Sequence, residues 1–341
     1  MNTDERAVEM GVAICTHNPD ETTFKRTLAA VESLQLAQGT RIECVVVDNN
    51  SDTPVSERPY VKAFLGRCPW ARAITEGRRG LTYARIAAIE NTTALNLCFV
   101  DDDNEPASDY LMAAAKILKD HGCIAVIGPG KVVVHYMEPV SDWFAQRFSH
   151  HFQQRDCPDL TYGRVCGTWT DYYPPGSCMV VRRDVLGRYR QEFLAGRLWA
   201  SDRVGAKLSS GGDTQMVWAA VKMGFAAGIS PELRLNHLIP AKRSNLNYVK
   251  RLCYGTSSSY LPALASSFPS ERAGLAGAVP SNARIVLRAT RIILRHLVRR
   301  RLDILPIELA SYLGSLVGVL KASETQGRTW IYRCVALLRL D

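Results

Sequence analysis

The chain has 341 residues, 47% of them hydrophobic and 22% charged, with a formal net charge of +9. This composition excludes a disordered chain, and the length suffices for one large domain or two smaller ones. The ten cysteines contain no CxxC pair, so we expect small core residues in a reducing cytoplasm rather than a disulfide framework or a zinc site.

Strand and helix patterns alternate along the first hundred residues. The N-terminal run MNTDERAVEMG is acidic and predicts no signal peptide. A strand over 11–16 precedes an amphipathic helix over 22–36, with Leu28, Val31 and Leu34 on its apolar face. The β-branched run IECVVVDNNS, a helix opening after Gly80 and the strand LNLCFV follow. This alternation predicts parallel strands joined by right-handed crossovers, with helices on both faces of the sheet.

Polar residues stand at the ends of three of these strands. They are Thr16-His17-Asn18, Asp48-Asn49-Asn50-Ser51-Asp52 and Asp101-Asp102-Asp103. Ligands of open α/β sheets bind beyond the carboxyl ends of the strands, so three such clusters predict a nucleotide site. The chain has neither GxGxxG nor GxxxxGK[ST], which disfavours a dehydrogenase and a kinase.

The stretch LCFVDDDNEP places three adjacent carboxylates behind a strand. One interpretation is a solvated turn whose Asp and Asn cap the helix beginning near Ser108. The other is a divalent metal site, whose cation offsets the repulsion between the carboxylates.

The next elements are a helix over 108–120, the strand CIAVIGPG and an irregular, aromatic-rich segment over 140–171. In YYPPGSCMVVRRDVL a turn precedes a strand over 177–181, and Gly176 suits a close approach to a ligand or unusual backbone angles. SSGGDTQM is a Gly-rich loop before a helix over 213–223, which Asp213 is placed to cap.

These motifs, in this order from Val12 to Pro240, resemble the family 2 glycosyltransferases. The resemblance rests on THN, VVVDNNS, GLTYARIAAIE, FVDDDNEP, PPGSCMVVRRDVL and the late Gly-rich loop. It implies an α/β GT-A fold with a mainly parallel central sheet flanked by helices, plus a C-terminal helical extension. The catalytic domain would occupy 1–240, with its nucleotide-binding half up to about 105 and its acceptor half from about 106. A basic, mainly helical region would occupy 241–341.

The resemblance also implies roles for the polar residues of the donor pocket. Asp103 would bind Mg²⁺ or Mn²⁺ directly, with Asp101 and Asp102 beside the ribose or around the ion. Asp48 would accept a hydrogen bond from the base, and Thr16 and Asn18 would line the same nucleotide pocket. Arg85 would neutralise a phosphate; the alternative is a surface arginine of its helix.

Other residues match the family pattern in the acceptor half. An inverting displacement needs a base for the acceptor hydroxyl, and Asp213 matches it, although Gly212 stands where the family commonly has glutamate. Asp171 and Asp202 are reserve carboxylates. Gly176 and Ser177 would face the sugar or the acceptor. His237 would reach the metal or the diphosphate, unless it is a structural strand-end histidine.

The basic excess lies in one segment, since 241–301 contains twelve Lys or Arg and one acid, Glu271. Arginines recur along one stripe of a predicted helix, beside an apolar surface. The stripe is Arg284, Arg288, Arg291, Arg295 and Arg299, and the surface is Val286, Ile293 and Leu297 flanked by Ile285, Ile292 and Leu302. This pattern fits a helix on an anionic membrane, or a helix packed on the catalytic domain with a solvated basic face.

No base-reading motif accompanies the basic segment, so a nucleic-acid partner is not expected. Beyond it, LPIELASYLGSLVGVL predicts an apolar helix, which Glu308 interrupts, so we predict no membrane-spanning helix. The apolar C-terminal region could also pair subunits into a homo-oligomer.

Together these features predict an inverting, metal-dependent glycosyltransferase at the inner face of the cell membrane. It would move a sugar from a nucleotide-sugar donor, with a UDP-sugar expected, onto a cell-surface glycan or a lipid-linked precursor. The alternatives are a nucleotide-sugar-binding protein that has lost catalysis, and a membrane- or nucleic-acid-binding scaffold that uses the basic segment.

Overall fold

The computed structural model describes residues 8–199, 202–205, 207–277, 279–325 and 328–340. The chain forms two compact units: Met1–Leu194 with Met216–Pro240, and Ala195–Gln215 with Ala241–Asp341. The segment Ala195–Gln215, which includes Asp213, belongs to the second of these units although it precedes residue 240 in the sequence.

The first unit is built on one mixed sheet of ten strands. The strands are β1 (Met10–Thr16), β2 (Ile42–Asp48), β3 (Ala71–Thr75), β4 (Asn96–Asp101), β5 (Asn104–Pro106), β6 (Ile124–Tyr136), β7 (Arg155–Asp156), β8 (Thr161–Gly163), β9 (Met179–Arg182) and β10 (Ala226–Ile239).

Strand order in the main path of the sheet is β3-β2-β1-β4-β9-β6-β10-β5, with β7 beside β6 and β8 beside β10. The first four strands of this order are mutually parallel, as predicted. Register pairs Thr16 with Asp48, and Cys15 with Asp101, so the three polar strand ends meet at one edge.

The second half of the sheet is not parallel throughout. Strand β9 runs antiparallel between β4 and β6, while β6 and β10 are parallel to each other. Strand β5 pairs antiparallel with β10, which aligns Asn104 with His237. The sheet is therefore parallel throughout only among β3, β2, β1 and β4.

Among the described residues, seven helices belong wholly or partly to this unit. They are α1 (Glu21–Glu32), α2 (Pro59–Arg67), α3 (Leu81–Glu90), α4 (Tyr110–Asp120), α5 (Asp142–Phe148), α6 (Arg183–Leu194) and α7 (Gly212–Lys222), with 3₁₀ turns at Val55–Glu57 and Ser149–Phe152.

Helix α1 shows how the sequence places these elements. Asp20 caps it by accepting hydrogen bonds from the amides of Thr22 and Thr23. Its buried side chains include Leu28 and Val31, as predicted, but it ends at Glu32, so Leu34 lies beyond it. The segment over 140–171 is also more regular than predicted, since it contains α5, β7 and β8.

The second unit is helical beyond residue 240, as predicted. Its helices there are α8 (Leu246–Ser267), α9 (Pro269–Gly277), α10 (Asn282–Val298), α11 (Leu305–Ala322) and α12 (Thr329–Leu337). Their apolar core includes Tyr254, Ile285, Val317, Leu320 and Ile331.

Helix α10 buries a different set of residues from the one that the sequence suggested. Ile285 and Ile292 are buried, so they do not belong to an exposed apolar surface. On the exposed side, Val286 and Leu297 are 56% and 50% accessible.

Helix α11 is long and apolar enough to cross a membrane by length and composition, and within the described ranges it is the single helix that meets this test. The prediction that Glu308 disqualifies the segment is therefore wrong by this criterion. A core helix passes the same test, and 44% of α11 is buried.

Candidate active site

The loop after β2 is organised by Asp48, which is 2% exposed. One carboxylate oxygen accepts from the amide of Ser51 and the other from the amide of Val55, both at 2.9 Å. These two bonds compensate the burial of the charge and fix the turn that follows the strand. Asp48 therefore has a structural role in this turn, which is independent of the predicted hydrogen bond to a nucleobase.

The loop after β1 is tied to this turn. Asn18, at φ 49°, exchanges hydrogen bonds with Asp52: its side-chain amide donates to the carboxylate at 3.0 Å, and its carbonyl oxygen accepts from the Asp52 amide at 2.9 Å. The His17 ring bonds the carbonyl of Asn49 at 2.9 Å. Of the predicted pocket residues, Thr16 and Asp48 thus end the adjacent strands β1 and β2, and Asn18 lies in the loop after β1, hydrogen-bonded to Asp52.

Asn49 was named in the sequence only as a member of the polar cluster after β2, with no role of its own. It is buried, its side-chain amide donates to the carbonyl of Arg78 at 2.7 Å, and its oxygen accepts from the amide of Gly80 at 2.7 Å. Gly80 has φ 133°, a conformation that favours glycine, and α3 begins directly after it. Asn49 therefore sets where α3 begins; its position directly behind Asp48 was the available clue.

Arg85 lies on α3 and is 4% exposed, so the alternative of a surface arginine is wrong. Its guanidinium carbon lies 6.0 Å from the centre of the Phe99 ring. Phe99 belongs to β4, two residues before Asp101. Arg85 is thus a buried cation associated with the strand that carries the aspartates.

The three adjacent aspartates have separate hydrogen-bond partners on different elements. The Ser177 hydroxyl donates to Asp101 at 3.1 Å, and the Thr16 hydroxyl donates to Asp102 at 2.5 Å. Asp103 is 4% exposed and accepts from the side chain of Asn104 at 3.0 Å. Helix α4 begins later, at Tyr110, and no side chain caps it, so the helix-capping interpretation of the triplet is wrong.

His237 comes to the same place through the pairing of β10 with β5. Its Nδ1 lies 2.8 Å from the carbonyl oxygen of Phe152, which can only accept, so Nδ1 carries the proton. In the neutral ring Nε2 then presents a lone pair, and it lies 3.7 Å from an oxygen of Asp103.

This pair fits a divalent cation. Metal–ligand bonds of about 2.0–2.2 Å allow one ion to bind two atoms separated by that distance. Within the described residues, no group of three or more His, Cys, Asp or Glu could hold a metal by itself. The remaining ligands would therefore come from a bound substrate and water, as is usual for Mg²⁺ at phosphate sites.

The turn before β9 contributes Gly176 and Ser177, both buried. The unusual backbone angle lies at Cys178, with φ 52°, and not at Gly176. The carbonyl oxygen of Cys178 accepts from the Tyr110 hydroxyl at 2.7 Å. This bond holds the turn while Ser177 reaches Asp101.

Asp213 belongs to the second unit and is half-buried. It lies in the first turn of α7, after Gly212, and accepts from the Ser210 hydroxyl at 3.4 Å and from the Thr214 amide at 2.9 Å. It is therefore inside the helix and not the cap itself. Of the reserve carboxylates, Asp202 is buried in the second unit and Asp171 is exposed in the first.

Comparison with known proteins adds relatives by sequence and by structure. The chain is 22% identical over 246 residues to the succinoglycan biosynthesis protein ExoM of Rhizobium meliloti, covering 72% of this chain and 71% of that protein. It superposes on a mannosyltransferase of Pyrobaculum calidifontis, solved with GDP-Man and Mn²⁺, with a TM-score of 0.54, 17% identity and coverage of 94% and 89%.

A third match is a structure of GalNAc-T7 with UDP, GalNAc and Mn²⁺, at a TM-score of 0.48 and 17% identity. It covers 69% of this chain, which spans less than half (44%) of that protein. The family model described as glycosyl transferase family 2 matches residues 11–190, which is more than half of the chain and includes β2 to β9 and most of β1, but not β10. The chain therefore belongs to glycosyltransferase family 2 and is a glycosyltransferase of the GT-A fold.

Proposed function

We propose that the protein is an inverting, metal-dependent transferase that takes its sugar from a nucleotide-sugar donor, a UDP-sugar being the expected one. The observation that carries this proposal is the approach of His237 to Asp103 at the edge where the parallel strands end. The mannosyltransferase that shares the fold was solved with Mn²⁺, which supports a divalent cation.

Asp103 and His237 would hold the cation, with Asp101 beside them. When bound, Mg²⁺ or Mn²⁺ neutralises the diphosphate that leaves as the glycosidic bond breaks. Arg85 supplies a buried guanidinium for the same negative charge. Thr16, Asn18 and Asp48 border the space for the nucleoside, and Ser177, with Gly176, orients Asp101.

The acceptor hydroxyl must lose a proton as its oxygen attacks the anomeric carbon. We propose that Asp213, whose carboxylate lies in the first turn of α7, accepts this proton. Asp213 is half-buried, and a carboxylate that is not fully enclosed can meet the hydroxyl group of an incoming acceptor.

The acceptor we propose is a glycan or a lipid-linked precursor of the cell surface, met at the inner face of the membrane. The relative in succinoglycan biosynthesis supports a polysaccharide product. The exposed apolar side of α10 supports membrane contact, since Leu294 and Val298 are 54% and 83% accessible. Replacing Leu294 and Leu297 with glutamine should therefore weaken binding to anionic vesicles.

The test of the catalytic proposal is a thermal-shift panel of UDP, GDP, dTDP and CMP, each with and without Mn²⁺. A nucleotide at a hundred times its dissociation constant stabilises the fold by about 2.7 kcal/mol. We expect one nucleotide to give a Mn²⁺-dependent shift in the native chain, and Asp103→Asn to abolish it. Asp120→Asn, at an exposed aspartate of α4, is the matched control and should keep the shift.

Turnover separates this proposal from an inactive binding protein. Hydrolysis of the matching nucleotide sugar should be measurable in the native chain and lost in Asp213→Asn, while the nucleotide shift persists. A nucleotide shift without donor hydrolysis in the native chain would favour the binding protein, as Gly212 in place of glutamate suggests. No shift with any nucleotide would contradict both.

A further inference from the structure

A groove with a volume of about 1030 Å³ runs between α10 and α11, inside the second unit. Four arginines of α10 line it, and α11 supplies three hydroxyl groups from the facing side. The arginines are Arg284, Arg288, Arg291 and Arg295, and the hydroxyl groups are those of Ser311, Tyr312 and Ser315. We call this site the arginine groove.

The arginine groove carries more positive than negative charge. Glu308 is its single lining carboxylate, and it already binds Arg295 and His296. Burial by itself would raise the pKa of Glu308, but hydrogen bonds from His296 and Arg295 outweigh it and hold that pKa below its usual value. The negative charge of Glu308 is thus already paired with Arg295 and His296.

The remaining arginines have little to offset their charge. Arg288 lies 5.1 Å over the ring of Tyr312, and no carboxylate among the described residues forms an ion pair with Arg284 or Arg291. Like charges placed side by side repel one another, and an anion in the groove would relieve that repulsion.

The spacing of these arginines allows more than one of them to reach the same anion. Successive arginines are three or four residues apart, which is about 4.5–6 Å along a helix. Guanidinium groups bind phosphate oxygens through paired N–H donors, so several in a row suit a phosphomonoester or a diphosphate. The Ser315 hydroxyl donates to the carbonyl of Ser311 at 3.0 Å, and the Ser311 hydroxyl is hydrogen-bonded to Ser257 at 2.9 Å, so the arginines supply the donors for the anion.

The apolar part of the lining indicates that the phosphate is attached to a lipid. Leu287, Ile292, Leu316 and Val319 complete the groove. Leu287 is 50% exposed, and Leu294, about two helical turns further along α10, is 54% exposed. An apolar path therefore leads from the arginines to the exposed side of α10, where an acyl or isoprenoid chain would continue into a membrane.

We propose that the arginine groove binds the phosphate-bearing headgroup of a lipid. As the site of a lipid-linked acceptor, the groove depends on the function proposed above; as a lipid-phosphate site, it can be tested without any sugar donor. This binding differs from a general attraction of a basic helix to an anionic membrane, because it requires particular arginines and a particular lipid headgroup.

The experiment compares two kinds of phosphatidylcholine vesicle matched in surface charge, one containing phosphatidic acid and the other phosphatidylglycerol. The phosphate of phosphatidic acid is a terminal phosphomonoester, whereas the phosphate of phosphatidylglycerol is a diester that carries a glycerol group. We expect the full chain to bind the phosphatidic acid vesicles more tightly, and inorganic diphosphate to compete with them.

The variant pair Arg284→Gln and Arg291→Gln removes two groove arginines. We expect it to weaken binding to phosphatidic acid vesicles about tenfold, the scale of two partly solvated guanidinium–phosphate contacts. The control pair Arg299→Gln and Arg301→Gln removes the same charge outside the groove lining and should retain the preference. If the double variant does not fold, Arg291→Lys takes its place in the test. This substitution keeps the charge but loses the paired N–H donors, so we expect it to reduce the preference for phosphatidic acid.

Three results would overturn the proposal. One is equal loss in both variant pairs, which indicates diffuse charge. The others are absence of any preference between the two vesicles, and binding of soluble diphosphate without vesicle binding. The Mn²⁺-dependent nucleotide shift, measured on the same variants, is expected to be unchanged. Its loss would concern the catalytic proposal and not the groove.

Discussion

Replacing Asp48 with asparagine tests whether this buried carboxylate mainly holds the turn after β2. Its two oxygens accept from the amides of Ser51 and Val55, and the side chain is 2% exposed. Asparagine keeps one acceptor but turns an NH₂ group toward the other amide. One charge-assisted hydrogen bond is lost, and one buried N–H has no acceptor.

Each of these losses is worth about 1–3 kcal/mol. Because both concern the same backbone N–H, they overlap, and we expect Asp48→Asn to lower the free energy of unfolding by about 2–4 kcal/mol. For a unit of this size, about 2–4 °C of unfolding temperature corresponds to each kcal/mol. The melting temperature should therefore fall by about 5–15 °C.

The assay is thermal unfolding without nucleotide, followed by nucleotide titration below the melting temperature. Asp52→Asn is the matched control, because Asp52 is exposed and meets only the side chain of Asn18 at 3.0 Å; it should change stability by less than about 0.5 kcal/mol. Unchanged stability in Asp48→Asn, together with lost nucleotide binding, would refute the structural interpretation of Asp48.

Three further outcomes are expected. Gly130→Ala should destabilise the protein by about 1–3 kcal/mol, because an added Cβ would lie 2.5 Å from a neighbouring backbone carbon. Gly66→Ala, where no atom lies within 4 Å, should be neutral or stabilising, and equal chemical-denaturation midpoints for the two variants would contradict this reasoning. His237→Asn keeps a donor for the neighbouring carbonyl but removes Nε2, so Mn²⁺ titration of nucleotide binding should show about tenfold weaker apparent affinity, with the metal-free melting temperature as control. Burial and the adjacent His150 lower the pKa of His151 to about 4 from 6.5, so between these values the unfolded chain binds a proton that the folded chain does not. Stability should fall as pH decreases through that range, and less steeply in His151→Gln; identical pH profiles would refute the assignment.

The elements predicted well from sequence are those with strong periodicity and local signals. The parallel strands ending at Thr16, Asp48 and Asp101 have continuous β-branched or apolar runs, and their alignment follows from parallel pairing. Helix α3 was predictable because Gly80 precedes a helical pattern.

Elements with weak local patterns were not predicted. Strand β3 has five residues at the edge of the sheet and is only partly buried, so it lacks the apolar run that marks a central strand. The antiparallel direction of β9 depends on the path of the chain through 140–178, which periodicity does not encode.

The candidate site, like the fold, was predictable only in the part that depends on local sequence signals. Its candidate residues were recognisable as polar strand ends, but the approach of His237 to Asp103 depends on the register of β10 with β5. The partners are more than a hundred residues apart in sequence, and no local rule sets that register. In α10, periodicity revealed apolar residues on two sides of the helix, and only the packing decides that Ile285 and Ile292 are covered.

The position of β9 also has a consequence for how the first unit is made. Strands β1 to β4 can pair with one another as soon as Asp101 has been synthesised, because each of their pairings with one another joins segments that are already present. Strand β6 has to wait for β9, which pairs with both β4 and β6, and β5 has to wait for β10. Pairings of such long sequence separation form slowly, and an unpaired strand edge is prone to aggregation. We therefore expect the half of the sheet that includes β10 to form after the parallel half, so that a nascent chain pairs β1 to β4 before the proposed metal site exists.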